Sequence, residues 1–151
     1  MLVGAVAGIG FAISRYGSPT APQSAPPPNA PLRLPQRTGE FDREASSGVT
    51  PSVHPETRVA TVSAIYSRAG VQQFLALASR PQTNAEAALT EVNATGIVKH
   101  PNGVCGYVGT PRRLGCVVVR RDTAVMVVTL VDQPAPELLT LASTLVDGLG
   151  T

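Results

Sequence analysis

The chain has few of the side chains with which proteins recognise nucleic acids. Its 151 residues contain no tryptophan, three tyrosines and three phenylalanines, so exposed bases would find few rings to stack on. Lysine occurs once, and the formal net charge is only +2. A charge balance this small does not predict a basic surface for phosphate backbones. We therefore expect no nucleic-acid partner.

Locally recognisable catalytic motifs are also missing from the sequence. There is no G-x-S-x-G elbow, P-loop, HExxH or CxxC. Histidine occurs twice, at His54 in a proline-rich stretch and at His100 beside turn-forming residues, where a turn role is commoner than general-base catalysis. The sequence favours a binding or structural role over an enzymatic one and predicts no cofactor. An enzyme whose site is assembled in space, acting on envelope polymers, stays an alternative.

The first fourteen residues carry no charged side chain, and Arg15 closes this apolar run. As a helix the run would span about 21 Å, which is shorter than the ~30 Å hydrocarbon core of a bilayer. This length is typical of the apolar region of a signal peptide, and residues 12–14 resemble a small-residue cleavage site. We expect residues 1–15 to be a membrane anchor or a signal segment, so both a tethered and a secreted domain stay open.

Residues 16–56 hold most of the prolines of the chain, including three in a row at 26–28. Proline removes amide donors and favours the extended polyproline conformation. We therefore expect this segment to be a flexible, disordered linker that holds a domain away from a surface.

The remaining residues, 57–151, are enough for one small domain. β-Branched runs separated by turn residues predict strands over 104–108, 115–121 and 124–131. These strands follow one another closely along the chain, so the sequence predicts an antiparallel three-stranded meander.

Two or three helices are expected to pack on this meander. Apolar residues at helical spacing predict helices over 67–79 and 84–92, although the segment just before residue 67 is ambiguous between helix and strand. A further amphipathic helix is predicted after Pro134, with Gly148 ending it. The predicted fold class is therefore α+β, a small mixed α/β domain.

Cys105 and Cys116 flank the first turn of the meander. If this turn is centred between Thr110 and Pro111, facing positions sum to 221, as 105 and 116 do. Facing residues lie about 4.5 to 5.5 Å apart between Cα atoms, within reach of a disulfide. Two buried reduced thiols are a less favoured alternative, because a disulfide agrees with the apolar N-terminal segment and the linker. A metal site shared with His100 is also less favoured, because the spacing matches no CxxC-type site and a fourth ligand is absent. A disulfide implies an oxidising compartment.

Arg112, Arg113, Arg120 and Arg121 are the one suggestive cluster of charge. Pairing of the hairpin puts the first two at one end of a strand and the last two at the other, about 25 Å apart. The two patches are candidates for binding anionic lipid head groups or cell-wall phosphates. Solvated turn arginines are the default interpretation.

Between Val104 and Leu149 the chain reads Val-Cys, a turn, Gly-Cys-Val-Val-Val, a further strand and a leucine-rich helix. This order resembles the small extracytoplasmic domains of actinobacterial envelope lipoproteins and kinase sensor modules. The resemblance covers under a third of the chain. It implies export, a disulfide, and a role in binding or envelope maintenance. No functional residue carries over, and the N-terminal segment has no cysteine to carry a lipid.

Together these patterns predict a binding or structural module outside the cytoplasm, either tethered to the cell membrane by its N-terminal segment or secreted. Its expected partner, besides the membrane, is an envelope protein or an anionic envelope polymer. The remaining alternative is a cytosolic domain whose apolar arm joins a partner.

Overall fold

The structure, a computed structural model, describes residues 32–149. They form one nine-stranded antiparallel sheet with a helix packed against each face. In chain order the elements are β1 (Arg37–Thr38), β2 (Phe41–Arg43), β3 (Ser52–Val53), β4 (Ala60–Arg68), β5 (Val71–Arg80), α1 (Ala85–Glu91), β6 (Thr95–His100), β7 (Gly103–Val108), β8 (Arg113–Arg120), β9 (Thr123–Thr129) and α2 (Ala135–Gly148). Across the sheet the order is β1-β2-β4-β5-β9-β8-β7-β6, and β3 pairs with the same edge of β4 as β2 does.

The predicted α+β class is confirmed, but the prediction of a three-stranded meander is wrong. β7, β8 and β9 do follow one another as expected, with Val117 facing Val104 on one side and Met126 on the other. β9 then pairs with β5 along its second edge, so that the meander is one part of a larger sheet. This long-range pairing joins segments about fifty residues apart, for which the local pattern holds no signal.

The helix predicted over residues 67–79 is also wrong, because this stretch forms the β4–β5 hairpin. Ala69 and Gly70 make the turn with φ angles of 53° and 80°, the left-handed conformations that tight hairpins require. In β5, Phe74 faces the helix α2 while its neighbour Leu75 faces the other side of the sheet. Because both faces are covered, apolar residues occur at successive positions, and the alternation that marks a strand is lost.

Residues 32–56, which fall within the expected linker, run along the β4 edge of the sheet. Leu32 and Leu34 are 2% and 0% exposed, and the ring of Phe41 packs edge-on against Phe74 with centroids 5.2 Å apart. This part of the expected linker is therefore packed onto the sheet. The expected anchor over residues 1–15 and the linker residues 16–31 lie outside the described residues.

The two helices form where the sequence predicts them. The Asn84 side chain caps α1 by accepting a hydrogen bond of 2.9 Å from the Ala87 amide. α2 buries Leu138 and Leu145 against β8 and β9, and this contact makes the larger of two apolar cores. Within residues 32–149, neither helix combines the length and hydropathy needed to cross a membrane.

Candidate functional site

Cys105 in β7 and Cys116 in β8 face each other and form a disulfide, with Cα atoms 4.0 Å apart. The predicted register is confirmed at every pair of this hairpin from Val104–Val117 to Val108–Arg113. The two cysteines are 3% and 0% exposed beneath α2, so the disulfide is a structural cross-link within the core. Their sulfurs are joined to each other, and the described residues contain no cluster of three groups placed to hold a metal.

The first pair of predicted anion-binding arginines lies at the tip of the β7–β8 hairpin. Arg112 stacks over the Tyr107 ring, with its guanidinium carbon 4.7 Å from the ring centre. Arg113 donates a hydrogen bond of 3.3 Å to the Leu130 carbonyl. Both side chains are exposed, and these contacts with the protein use part of their binding capacity.

The second pair lies at the opposite end of β8. Arg120 forms an ion pair with Asp147 at 3.1 Å, which ties the last turn of α2 to the sheet. Arg121 is exposed in the β8–β9 turn, with φ at 58°. The two pairs thus lie at separate ends of β8, as predicted, and anion binding by them stays a prediction.

Two charged concavities lie at opposite ends of α2, and neither was anticipated from the sequence. The first, called here the basic cavity, has a volume of about 380 Å³. It is lined by residues 32–36, Arg43, Arg80, Gly148 and Leu149. Three of these lining residues are arginines, at positions 33, 43 and 80, and none of the described lining residues is acidic.

Arg43, which lines this cavity, is held in place by hydrogen bonds. Its Nη1 donates a hydrogen bond of 2.5 Å to the Leu34 carbonyl, and its backbone amide donates to the Gln36 carbonyl at 2.9 Å. A Cβ at Gly48 would lie 2.9 Å from the Arg43 Cδ, so glycine at that position leaves room for the arginine stem. The Arg43 Nε is buried without a hydrogen-bond partner.

Arg80 is buried at the end of β5, with only 5% of the residue exposed. Its Nε donates a hydrogen bond of 2.9 Å to the Thr123 hydroxyl and lies 4.0 Å from a carboxylate oxygen of Asp122. These contacts hold the guanidinium as a fixed positive charge in the cavity wall.

Tyr66 contacts the segment that lines this cavity. Its hydroxyl donates a hydrogen bond of 2.5 Å to the Pro35 carbonyl, which fixes the segment that lines the basic cavity. Burial raises the pKa of Tyr66 to about 12, because a phenolate would be poorly solvated there; the positive charge of Arg43 opposes this effect. Tyr66 is therefore a neutral hydrogen-bond donor at physiological pH.

The second concavity, called here the acidic groove, lies at the start of α2 and has a volume of about 660 Å³. It is lined by Glu40, Phe41, Arg68, Gln73, residues 131–133, Pro136, Glu137, Thr140 and Leu141. Three lining carboxylates, at positions 40, 132 and 137, face one guanidinium, that of Arg68, which pairs with Glu40 at 3.0 Å. This surplus of negative charge suits a cationic ligand.

The dipole of α2 explains part of this arrangement. Its N-terminus carries about half a positive charge and its C-terminus about half a negative one, so acidic groups at the first end and basic groups at the second are stabilising. The acidic groove follows this rule with exposed side chains. In the basic cavity, the three guanidiniums carry more positive charge than is needed to balance about half a negative charge at the C-terminus of α2.

The arginines of the basic cavity were missed because they come from three separate segments. One signal was present for Arg80. In β5, Phe74, Ala76 and Ala78 alternate along the face that packs on α2, and Arg80 is the next residue of that series. If residues 71–80 are interpreted as a strand, this alternation predicts that the Arg80 side chain lies on the same face as Phe74. No local pattern marks Arg33 or Arg43.

Comparison of the chain with models of protein families, with curated protein sequences and with solved structures found no match.

Proposed function

We propose that this chain is a binding module that works outside the cytoplasm, either tethered to the membrane or secreted. The observation that carries the proposal is the disulfide between Cys105 and Cys116, which joins two neighbouring strands of the core. Structural disulfides persist in oxidising compartments and are rare where glutathione and thioredoxin keep thiols reduced. The apolar segment at residues 1–15 supports the same location.

A binding role is supported by the secondary-structure elements that line the two concavities. Segments of the sheet edge and the two ends of α2 line these concavities, so their charged groups are held on the frame of the sheet and helix. Both volumes lie in the range of small-molecule sites.

Redox trapping in cells tests the location. The full chain is expressed in a bacterial host, quenched with acid, denatured, and alkylated with a mass-tagged maleimide with and without prior reduction. Denaturation is needed because both cysteines are buried. We expect two tags per chain only after reduction. In a second assay, protease added to intact spheroplasts is expected to digest the domain.

The Cys105→Ser variant is the matched control, because its single remaining thiol should be tagged without reduction. Two tags on the unreduced wild-type chain, with a domain resistant to protease until lysis, would place it in the cytosol. That outcome would favour a cytosolic domain with an apolar arm.

A further inference from the structure

We propose that the basic cavity binds a small molecule through its phosphate or carboxylate group, with Arg43 and Arg33 as the contacting side chains. This inference deepens the proposed function and rests on its binding half, since it names the site and the ligand chemistry. It does not depend on the compartment, which redox trapping tests separately.

The strongest support is the hydrogen bonding of Arg43. A guanidinium has five N–H donors and cannot lose its charge in a protein. Nη1 is used by the Leu34 carbonyl, whereas Nε is buried with no acceptor among the described residues. A buried donor without an acceptor is destabilising and uncommon in native structures. The edge formed by Nε and Nη2 has the fork geometry that a phosphate or carboxylate accepts with two oxygens.

The charge balance of the cavity favours the same ligand. The C-terminus of α2 contributes about half a negative charge, and Asp122 beside Arg80 offsets one guanidinium. The positive charges of Arg33 and Arg43 remain, and no described lining residue is acidic. Arg80 contributes a fixed positive charge from the wall, while Arg33 lines the same cavity and is exposed, so that an incoming anion can reach it.

The size of the cavity favours a ligand larger than a simple counterion. About 380 Å³ is far more than one inorganic phosphate fills, and it lies within the range that encloses small organic molecules. Leu149, which is partly exposed at the end of α2, adds an apolar surface for the uncharged part of such a molecule. The cavity therefore fits an organic phosphate or carboxylate, with the anionic group at Arg43.

Isothermal titration of the purified full chain with inorganic phosphate and with citrate tests the proposal, at constant ionic strength set by sodium chloride. We expect saturable binding of at least one of the two anions above the chloride background. Binding of phosphate alone identifies a phosphate-bearing ligand, and binding of citrate alone identifies a carboxylate.

Arg33→Gln is the informative variant, because this exposed side chain can be replaced without disturbing the core. Loss of a charge-assisted hydrogen bond predicts a decrease in affinity of about tenfold. Arg43→Lys keeps the charge but removes the fork and is expected to weaken binding to a similar extent. If it unfolds the protein, Arg33→Gln still decides the question.

Lys99→Gln is the matched control, since it removes the same charge from an exposed side chain in β6, at the opposite end of the sheet from β1 and β2. It should leave the affinity within twofold of wild type. Equal losses in Arg33→Gln and Lys99→Gln would show a diffuse effect of net charge and overturn the proposal. So would binding of phosphate and citrate no stronger than that of chloride.

Discussion

Tyr66 joins the sheet edge to the core through two different contacts. Its ring stacks on Phe74 with centroids 5.0 Å apart, while its hydroxyl reaches the Pro35 carbonyl. The ring therefore stabilises the packing of β4 on β5, and the hydroxyl stabilises the attachment of residues 32–36.

The Tyr66→Phe variant separates these two contributions. It keeps the stacked ring but leaves the Pro35 carbonyl without its partner, so we expect the free energy of unfolding to fall by about 1 to 2 kcal/mol. Urea denaturation measures this loss. Tyr107→Phe, at a side chain that is 41% exposed, should change stability by less than about 0.5 kcal/mol. Equal effects of the two changes would argue against the Pro35 hydrogen bond.

The raised pKa of Tyr66 predicts a dependence of stability on alkaline pH. Because the folded pKa, about 12, lies above the ordinary value of 10.0, the folded state holds the phenolic proton more tightly than the unfolded chain. The resulting stabilisation is complete below pH 10 and is lost as pH rises from 10 towards 12. Wild type should therefore lose about 1 kcal/mol more than Tyr66→Phe between pH 8 and pH 11. Parallel pH profiles of unfolding free energy in the two proteins would contradict this assignment.

The disulfide stabilises the fold by restricting the unfolded chain. Cys105 and Cys116 close a loop of about a dozen residues, and chain entropy alone predicts a contribution of about 3 kcal/mol. The Cys105→Ala/Cys116→Ala double variant is expected to lose about 2 to 4 kcal/mol in urea denaturation. Adding reductant should destabilise the wild type and leave the variant unchanged. Insensitivity of both would mean that the cysteines are not paired in solution.

At the scale of elements, α2 also packs closely against the start of β7, through Leu139. A Cβ at Gly103 would lie 2.6 Å from the Leu139 side chain and 2.6 Å from the Val117 carbonyl oxygen. The second of these atoms belongs to the backbone and cannot move aside cheaply. Glycine at this position therefore permits the contact between helix and strand.

Gly103→Ala is expected to destabilise the protein by about 1 to 3 kcal/mol, because the added methyl group overpacks this contact. Gly106→Ala in the same strand is the matched control. There the nearest atoms, on Ile97 and Thr95, would lie 3.3 Å away, so a smaller loss is expected. Thermal denaturation of both variants tests the difference, and a larger loss at Gly106 would place the tightest packing on the α1 side instead.

Over the whole molecule, burial is greatest in the middle of the sheet. All seven residues of β9 are buried, and β9 pairs with β5 on one side and β8 on the other. In β6, at the end of the sheet, Val98 is 55% exposed. Stability against local opening should therefore decrease from β9 outwards.

Amide hydrogen exchange followed by mass spectrometry tests this gradient. We expect β9 peptides to exchange most slowly, close to the rate set by global unfolding, and peptides from β3 and β6 to exchange fastest. The gradient should persist when denaturant is added below the midpoint of unfolding. Protection of β6 equal to that of β9 would show that a partner or another copy covers this edge.

Sequence reasoning succeeded where neighbouring residues determine the structure. The β7–β8 hairpin is one such case, because a turn of known centre fixes which residues face each other, and Cys105 and Cys116 could be paired by counting. α1 and α2 are others, since Asn84 and Pro134 mark where a helix begins. Residues 67–79 were wrongly predicted as a helix because β5 is covered on both faces, so that apolar residues occur at successive positions.

By itself, the sequence determined the α+β class, the two helices and the register that brings the cysteines together, because each depends on residues close along the chain. Only the tertiary structure decided the size of the sheet and the position of the concavities. β9 pairs with β5 although about fifty residues separate them along the chain. The basic cavity forms only when residues 32–36 pack beside β5 and the end of α2. Contacts of this kind depend on the burial of apolar surface on both faces of the sheet, which can be satisfied only by the assembled whole.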